Sequence, residues 1–317
     1  MMSPVFTALT AVALFLGGGA VSGQAEPARP QYGITKGEPV RVGYVLDYAG
    51  GPEANENIAV REGAEMLLRN AFEGAAKRRM EITPYASREE LVADILKGKL
   101  DMWQMSALDY ASRTPGDPLR GRVLAIPQFG EKKMSRYVLL ARKGTTLEEL
   151  KDKRLRSVYY GELGQALQWL GVELVRRGEA APEEYFSKVT WIHQGDPAKA
   201  ILPTFFGEAD AALVRDCQFD LLSRLNPQIG NTLEPVLVSA PVLGLLVVAR
   251  SDYDESVALE MAGHAQQVNR CTTGKAGLQI LKVVRFAPFE EDDLNSLIEL
   301  IELREKPVSE KRETPLP

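Results

Sequence analysis

The residues best suited to binding chemistry directly follow predicted strands. They are Arg215 and Asp216 after ADAALV, Ser106 after LDMWQM, and Asp47 and Tyr48 after VRVGYV. Arginine forms paired hydrogen bonds with the oxygens of an anion, and a helix start offers free N–H groups with partial positive charge. In open α/β sheets, ligands bind beyond the carboxyl ends of the strands. These positions predict a cleft for a small molecule, and an anion suits it best.

Acidic side chains near the same cleft leave the charge of the ligand open. Glu162 lies in the first turn of a predicted helix, where it either faces solvent or favours a cationic or zwitterionic ligand. Asp47 either belongs to a turn or accepts a hydrogen bond from an amine. Arg215 either binds an anion or pairs with Asp216 or another neighbour. Ser106 is either a ligand donor or an ordinary helix cap.

The sequence contains none of the local motifs that common catalytic or nucleotide sites require. It has no Gly-x-Ser-x-Gly elbow, no His-Glu-x-x-His pair, no Walker-type loop and no Gly-x-Gly-x-x-Gly turn. The chain has 2 histidines, and its cysteines lack the spacing of metal ligands. We therefore predict a binding protein that is not an enzyme, with no cofactor and no metal.

Composition and charge limit the partners of the chain. Its 317 residues carry a formal net charge of −5, with a pI near 5.4. An acidic chain is poorly suited to nucleic acid or to a polybasic membrane contact. The length allows one large domain or two ordinary ones.

The N-terminal segment predicts export. The run VFTALTAVALFLGGG (residues 5–19) has the length of a signal-peptide core and is too short to span a membrane. Small residues follow, which predicts cleavage after Gly23 or Ala25 and a periplasmic protein. An uncleaved anchor is the alternative, because no lysine or arginine precedes the apolar run. A Pro/Gly-rich linker occupies residues 26–38.

Cys217 and Cys271 are the two cysteines of the chain. In an exported protein they can form a disulfide. Alternatively, both are small buried hydrophobic residues, because both lie in helix-like contexts.

Strands alternate with helices along most of the chain, which predicts parallel sheets covered on both faces. Two units are visible, and the extended runs RYVLLARKG and GLLVVARSD border the second. We therefore predict that the chain crosses between two lobes near Arg142-Lys143-Gly144 and back near Val242-Leu243-Gly244. Lobe 1 then comprises residues 39–142 and 243–305, and lobe 2 comprises residues 143–242. The charged end, residues 306–317, is predicted to be a disordered tail.

Five phrases in order resemble the phosphonate/phosphite-binding (PhnD-type) periplasmic proteins of ABC importers. They are GKLDMWQMSALDY, TTLEELKDKRLRSVYYGELG, GEADAALVRDCQFDLLSRLNPQIG, VLVSAPVLGLLVVARSD and APFEEDDLNSLIELIE. The resemblance implies a type II periplasmic-binding-protein fold, in which two α/β lobes joined by a two-stranded hinge close around a ligand. Met105-Ser106-Ala107 matches the first-lobe ligand loop, and Tyr159-Tyr160-Gly161 the helix start that faces it.

The pocket motifs differ from those of the family. Many members have a Ser-Thr-Ser-Gly run where this chain has Tyr159-Tyr160-Gly161-Glu162-Leu163-Gly164, and a Gly-Ser-His where it has Gln194-Gly195-Asp196. Four aromatic side chains are candidates for the cleft walls: Tyr44, Trp103, Tyr159 and Tyr160. For Trp103, the alternative is a place in the hydrophobic core.

These observations predict a monomeric periplasmic solute-binding protein that delivers a small anion to an ABC permease in the inner membrane. One alternative is a periplasmic ligand sensor that partners a sensor kinase. Another is an enzyme built on the same bilobal scaffold.

Overall fold

The structure is a computed structural model, and it describes residues 38–45, 58–76, 78–158, 164–192 and 196–305. All of them fall in the unit Gly33–Pro317. The predicted signal peptide, nearly all of the linker and the predicted tail lie outside these residues. Within the described part of the chain, no helix is long and apolar enough to cross a membrane.

The described residues form eleven strands. They are β1 (Val40–Val45), β2 (Met80–Tyr85), β3 (Met102–Ser106), β4 (Arg122–Gln128), β5 (Tyr137–Arg142), β6 (Arg154–Val158), β7 (Lys188–Ile192), β8 (Ala211–Arg215), β9 (Leu233–Val238), β10 (Leu245–Ala249) and β11 (Arg285–Ala287). Strand β11 has three residues, which are too few to give a recognisable strand period in the sequence.

The described residues also form eleven α-helices. They are α1 (Ile58–Ala76), α2 (Arg88–Leu96), α3 (Ala107–Ala111), α4 (Gln165–Arg176), α5 (Pro182–Tyr185), α6 (Ala198–Phe206), α7 (Asp216–Leu225), α8 (Pro227–Thr232), α9 (Glu255–Gln267), α10 (Thr272–Ile280) and α11 (Asn295–Glu305). Ser87 caps the start of α2, because its hydroxyl oxygen accepts a hydrogen bond from the Glu90 backbone N–H at 3.3 Å.

Two mixed sheets form the architecture. The first has the order β11-β4-β10-β3-β1-β2, and the second has the order β7-β6-β8-β5-β9. In the first, β1 is parallel to β2 and β3, whereas β10 is antiparallel to β3 and β4. In the second, β6 is parallel to β7 and β8, whereas β5 is antiparallel to β8 and β9. The prediction of parallel sheets therefore holds for the pairs that β1 and β6 make, and it is wrong for the pairs that β5 and β10 make. Strands β5 and β10 each enter from the other sheet, without the helical crossover that would make them parallel.

The first crossing between the sheets lies earlier than predicted. Strand β5 pairs with β8 and β9, so the chain crosses between Gln128 and Tyr137 and not at Arg142–Gly144. The return crossing lies between Val238 and Leu245, the interval that contains Val242–Gly244. The two crossings run antiparallel, with Ser135 and Val242 exchanging backbone hydrogen bonds of 3.1 and 2.8 Å. Strand β5 is apolar from Val138 to Ala141, and this pattern alone does not reveal which sheet receives it.

Both sheets repeat one arginine–aspartate arrangement at the amino ends of neighbouring strands. Asp101 accepts bonds from the backbone N–H, Nε and Nη2 of Arg41 at 2.9, 3.0 and 2.7 Å. Asp210 accepts the same three from Arg154 at 2.9, 2.8 and 3.3 Å. The Asp101 side chain is 4% exposed and that of Asp210 is 32% exposed. The same contacts thus exist in a buried and in a partly exposed form.

The largest hydrophobic cluster continues from one sheet to the other through the last helix. Leu297, Leu300 and Leu303 of α11 are buried in it. Helix α11 contacts α3, which follows a strand of the first sheet, and α4, which follows a strand of the second. Trp103 is 1% exposed within this cluster, so the core interpretation of this residue is confirmed and it forms no wall of an open cleft.

The two cysteines are free thiols. Cys217 is half-buried in the first turn of α7, and Cys271 is exposed before α10, where its sulfur accepts a hydrogen bond from the Gly274 N–H. A disulfide is therefore not formed. The buried interpretation is wrong for Cys271, because its sulfur caps a surface helix.

We expect the two thiols to differ in reactivity. Burial raises the pKa of Cys217, which lowers the fraction of reactive thiolate. Brief treatment of the folded protein with iodoacetamide at pH 8 should therefore alkylate Cys271 first, as read by peptide mass spectrometry. A Cys271→Ser variant serves as the control, and equal labelling of both cysteines in the wild type would contradict the expectation.

Candidate functional site

The return crossing receives hydrogen bonds from helices of both sheets. The Gly244 carbonyl accepts a bond of 3.0 Å from the Ala107 backbone N–H, at the start of α3. The Leu243 carbonyl accepts a bond of 3.3 Å from Nε2 of Gln165, the first residue of α4. Both helices begin just after a sheet strand, so the carboxyl edges of the two sheets meet at this segment. We call the set Ser106, Ala107, Gln165, Arg215, Leu243 and Gly244 the crossing cluster.

Arg215 brings positive charge to the crossing cluster. It ends β8, as predicted, and its extended backbone precedes α7. A Cβ atom at Gly244 would lie 2.8 Å from Nη2 of Arg215, which is closer than real Cβ contacts. The guanidinium therefore lies directly against the backbone of the return crossing. Only glycine at position 244 allows this approach.

Tyr137, the first residue of β5, lies beside this arginine. The ring is fully buried, and burial raises the pKa of its hydroxyl while the positive charge of Arg215 opposes the shift. The backbone N–H of Tyr137 donates to Ser239 Oγ at 2.8 Å, which joins β5 to the start of the return crossing. A neutral phenol and the crossing backbone thus flank the guanidinium.

The start of α3 offers less to an anion than the sequence indicated. Ser106 is the predicted N-cap, and its hydroxyl oxygen accepts a 3.0 Å bond from the Asp109 N–H. The Ala107 N–H is already bonded to Gly244, and Met105 is buried beside Leu246 of β10. The hydroxyl of Ser106 accepts the bond from Asp109 through its oxygen and keeps its proton as a possible donor to a ligand.

A second cation, Arg88, lies near Ser106 and was not predicted. Its Nη2 atom is 2.8 Å from Oδ2 of Asp109, and Nη2 of Arg113 is 3.0 Å from Oδ1 of the same carboxylate. A cavity of about 20 Å³ between them has room for about one water-sized molecule. The sequence could have indicated Arg88 as a site residue through its position, directly after a helix cap at the carboxyl end of β2.

Asp216 holds the end of the first crossing through hydrogen bonds with neighbouring backbone groups. One carboxylate oxygen accepts bonds from the backbone N–H groups of Arg136 at 3.1 Å and Cys217 at 2.7 Å. The Asp216 N–H donates to the Arg136 carbonyl at 2.9 Å. These contacts fix the end of the first crossing, so Asp216 does not present this oxygen to a cleft as predicted.

The remaining predicted site residues lie outside the residues that the structure describes. They are Asp47, Tyr48, Tyr159, Tyr160, Gly161, Glu162 and Gln194. The strands before them end at Val45, Val158 and Ile192, close to the predicted strand ends. Among the described residues, no group of three or more histidine, cysteine, aspartate or glutamate side chains could hold a metal ion.

Two mixed α/β sheets joined by paired antiparallel crossings define a type II periplasmic-binding-protein fold. The family model for "ABC transporter, phosphonate, periplasmic substrate-binding protein" matches residues 64–294, which is more than half of the chain. The chain belongs to this family, whose members are substrate-binding proteins and not enzymes. No curated protein matches the sequence significantly.

Solved structures with the same fold share little sequence with this chain. PhnD1 from Prochlorococcus marinus, in complex with methylphosphonate, is 16% identical with a TM-score of 0.57, over 83% of this chain and 97% of that one. XAC2383 from Xanthomonas citri, bound to chloride ion, is 14% identical with a TM-score of 0.59, over 86% and 98%. A binding protein of an ABC phosphonate transporter from Pseudomonas aeruginosa, PA3383, is 12% identical with a TM-score of 0.56, over 85% and 87%. This level of identity supports the fold alone.

Proposed function

We propose that this protein captures a small anion of the phosphonate or phosphite class between its two sheets and delivers it to an ABC permease of the inner membrane. The observation that carries the proposal is the position of Arg215. Its guanidinium lies against Gly244, whose carbonyl is bonded to the helix start of the first sheet. A solute bound there touches both sheets and the segment that connects them.

The chemistry of Arg215 favours an oxyanion. A guanidinium donates two parallel hydrogen bonds to the oxygens of a phosphonate, and such charged bonds are about twice as strong as neutral ones. Ser106 adds a hydroxyl donor from the first sheet. Binding across two sheets stabilises the arrangement in which they are close, which is the thermodynamic basis of closure. PhnD1, a relative by fold, was solved with methylphosphonate.

The proposal includes export and a monomeric protein. Residues 1–25 are the signal peptide, cleavage near Gly23 or Ala25 releases the chain into the periplasm, and residues 26–38 link the signal to the fold. Lobe closure around the solute gives the permease a surface to recognise. Asp47, Tyr48, Tyr159, Tyr160, Gly161, Glu162 and Gln194 complete the pocket in this proposal.

A thermal-shift panel tests the class of solute. The panel contains methylphosphonate, phosphite, phosphate, an alkylsulfonate, amino acids and a polyamine. A ligand at roughly 100 times its Kd adds about 2.7 kcal/mol to the stability of the folded state. For a chain of this size, we expect an increase in Tm of several degrees with methylphosphonate or phosphite.

The same panel contains the result that contradicts the proposal. A shift with amines or amino acids alone would mean that Glu162 and Asp47 select a cationic or zwitterionic solute. Ser106→Ala and Arg215→Ala should each weaken the response to phosphonates. A full thermal shift with phosphonates in Arg215→Ala would show that this arginine does not bind the solute.

A further inference from the structure

A cavity of about 150 Å³ lies on one face of the first sheet, beneath α1 and α9. Its floor includes Met102 of β3 and Ala125 of β4, and its roof includes Phe72 of α1 and Ala265 of α9. It shares no residue with the crossing cluster. The space is partly open to solvent, so it is a pocket that a molecule can enter, and its volume is several times that of one water molecule.

The lining of the cavity is almost entirely apolar. Three methionines contribute to it, Met80, Met102 and Met261, and each is buried. Methionine side chains adapt their shape and make favourable contacts between sulfur and aromatic rings. The lining therefore suits a flat apolar molecule and offers little to hold water.

The polar side of the cavity disfavours an anion. Among the lining residues, Tyr44 and Glu65 are hydrogen-bonded to one another, with the tyrosine hydroxyl donating to the carboxylate. A second carboxylate or a phosphonate beside Glu65 would meet a like charge in a largely apolar setting. The chemistry is thus opposite to that of the crossing cluster.

We propose that this cavity is a second binding site, which takes a neutral molecule with one aromatic ring. An engineered apolar cavity of roughly 150 Å³ in another protein binds benzene, and this pocket offers a similar volume with a partly open side. The site is separate from the proposed anion site, so each can be present without the other.

Methyl NMR of the methionines tests the site directly. With methyl-labelled protein, benzene or toluene should cause saturable shifts of the Met80, Met102 and Met261 signals. Benzoate has the same ring with a negative charge and should leave them unchanged. Equal shifts with benzoate, or no shift of these signals with benzene, would overturn the proposal. The response to methylphosphonate is measured separately, so failure of one site is distinguishable from failure of the other.

A filled cavity gives the second test. Ala265→Met places a longer side chain in the space, and we expect benzene affinity to fall at least tenfold. Ala180→Met is the matched control, because Ala180 is exposed and does not line the cavity. Unchanged affinity in Ala265→Met would count against the site. If that variant fails to fold, the comparison of benzene with benzoate on the wild type decides alone.

Discussion

Replacing Gly244 with alanine is expected to weaken methylphosphonate binding roughly tenfold to a hundredfold while leaving the fold intact. The new Cβ atom would lie 2.8 Å from Nη2 of Arg215. That atom is the end of a flexible side chain, so the guanidinium can move away and the backbone can stay in place. A hydrogen bond to a charged group contributes about 1.5–3 kcal/mol, and 1.4 kcal/mol corresponds to a factor of ten in affinity.

Two comparisons make this result specific. Gly263→Ala, in α9, is the matched control, because a Cβ atom there meets nothing within 4 Å. Gly263→Ala should bind methylphosphonate as tightly as the wild type. Because alanine is favoured over glycine inside a helix, the variant should also gain about 0.5–1 kcal/mol in the free energy of unfolding. The double variant Gly244→Ala/Arg215→Ala should bind no more weakly than Arg215→Ala, because both changes remove one interaction. Additive losses, or normal binding by Gly244→Ala, would show that the contact has no role in binding.

The second large effect concerns stability. Asp101→Ala is expected to lower the free energy of unfolding by about 3 kcal/mol, because it removes a buried carboxylate from the partly buried Arg41 and from the buried Arg250 beside it. Asp101 binds Arg41 through three contacts, and Nη1 of Arg250 lies 4.0 Å away. Hydrogen bonding to Asp101 raises the pKa of Arg41, which reflects the same attraction. Urea denaturation measures the loss.

Asp210→Ala is the matched control for this prediction. Its three bonds to Arg154 copy those of Asp101, but both side chains are more exposed. Exposed ion pairs typically contribute less than about 1 kcal/mol. Asp101→Ala should keep its methylphosphonate affinity, since Asp101 lies at the amino end of β3 and Ser106 at the other end. Equal losses of stability in the two variants would mean that burial does not control the effect.

Local sequence pattern was sufficient for most elements and for two residues of the site. The cap at Ser106 and the strand end at Arg215 follow from spacing and residue type. Spacing and residue type do not predict which sheet receives β5, because an apolar run pairs equally well in either sheet. The residues that hydrogen-bond to the return crossing are also distant from it in the sequence. Gln165 and Leu243 are 78 residues apart, so no local pattern could have predicted that contact.

Helix α11 limits how far the two sheets can separate. It packs against α3 on one side and α4 on the other, and Nη1 of Arg304 donates to Gln168 of α4 at 3.1 Å. Any rotation between the sheets must slide this helix across at least one partner, which is a shear motion with small steps between packed arrangements. Under the proposed function, in which the sheets close on the solute, we expect solute occupancy to be coupled to the end of α11. A fluorophore at the exposed Glu305 is expected to give an optical signal of occupancy with no change to the cleft itself.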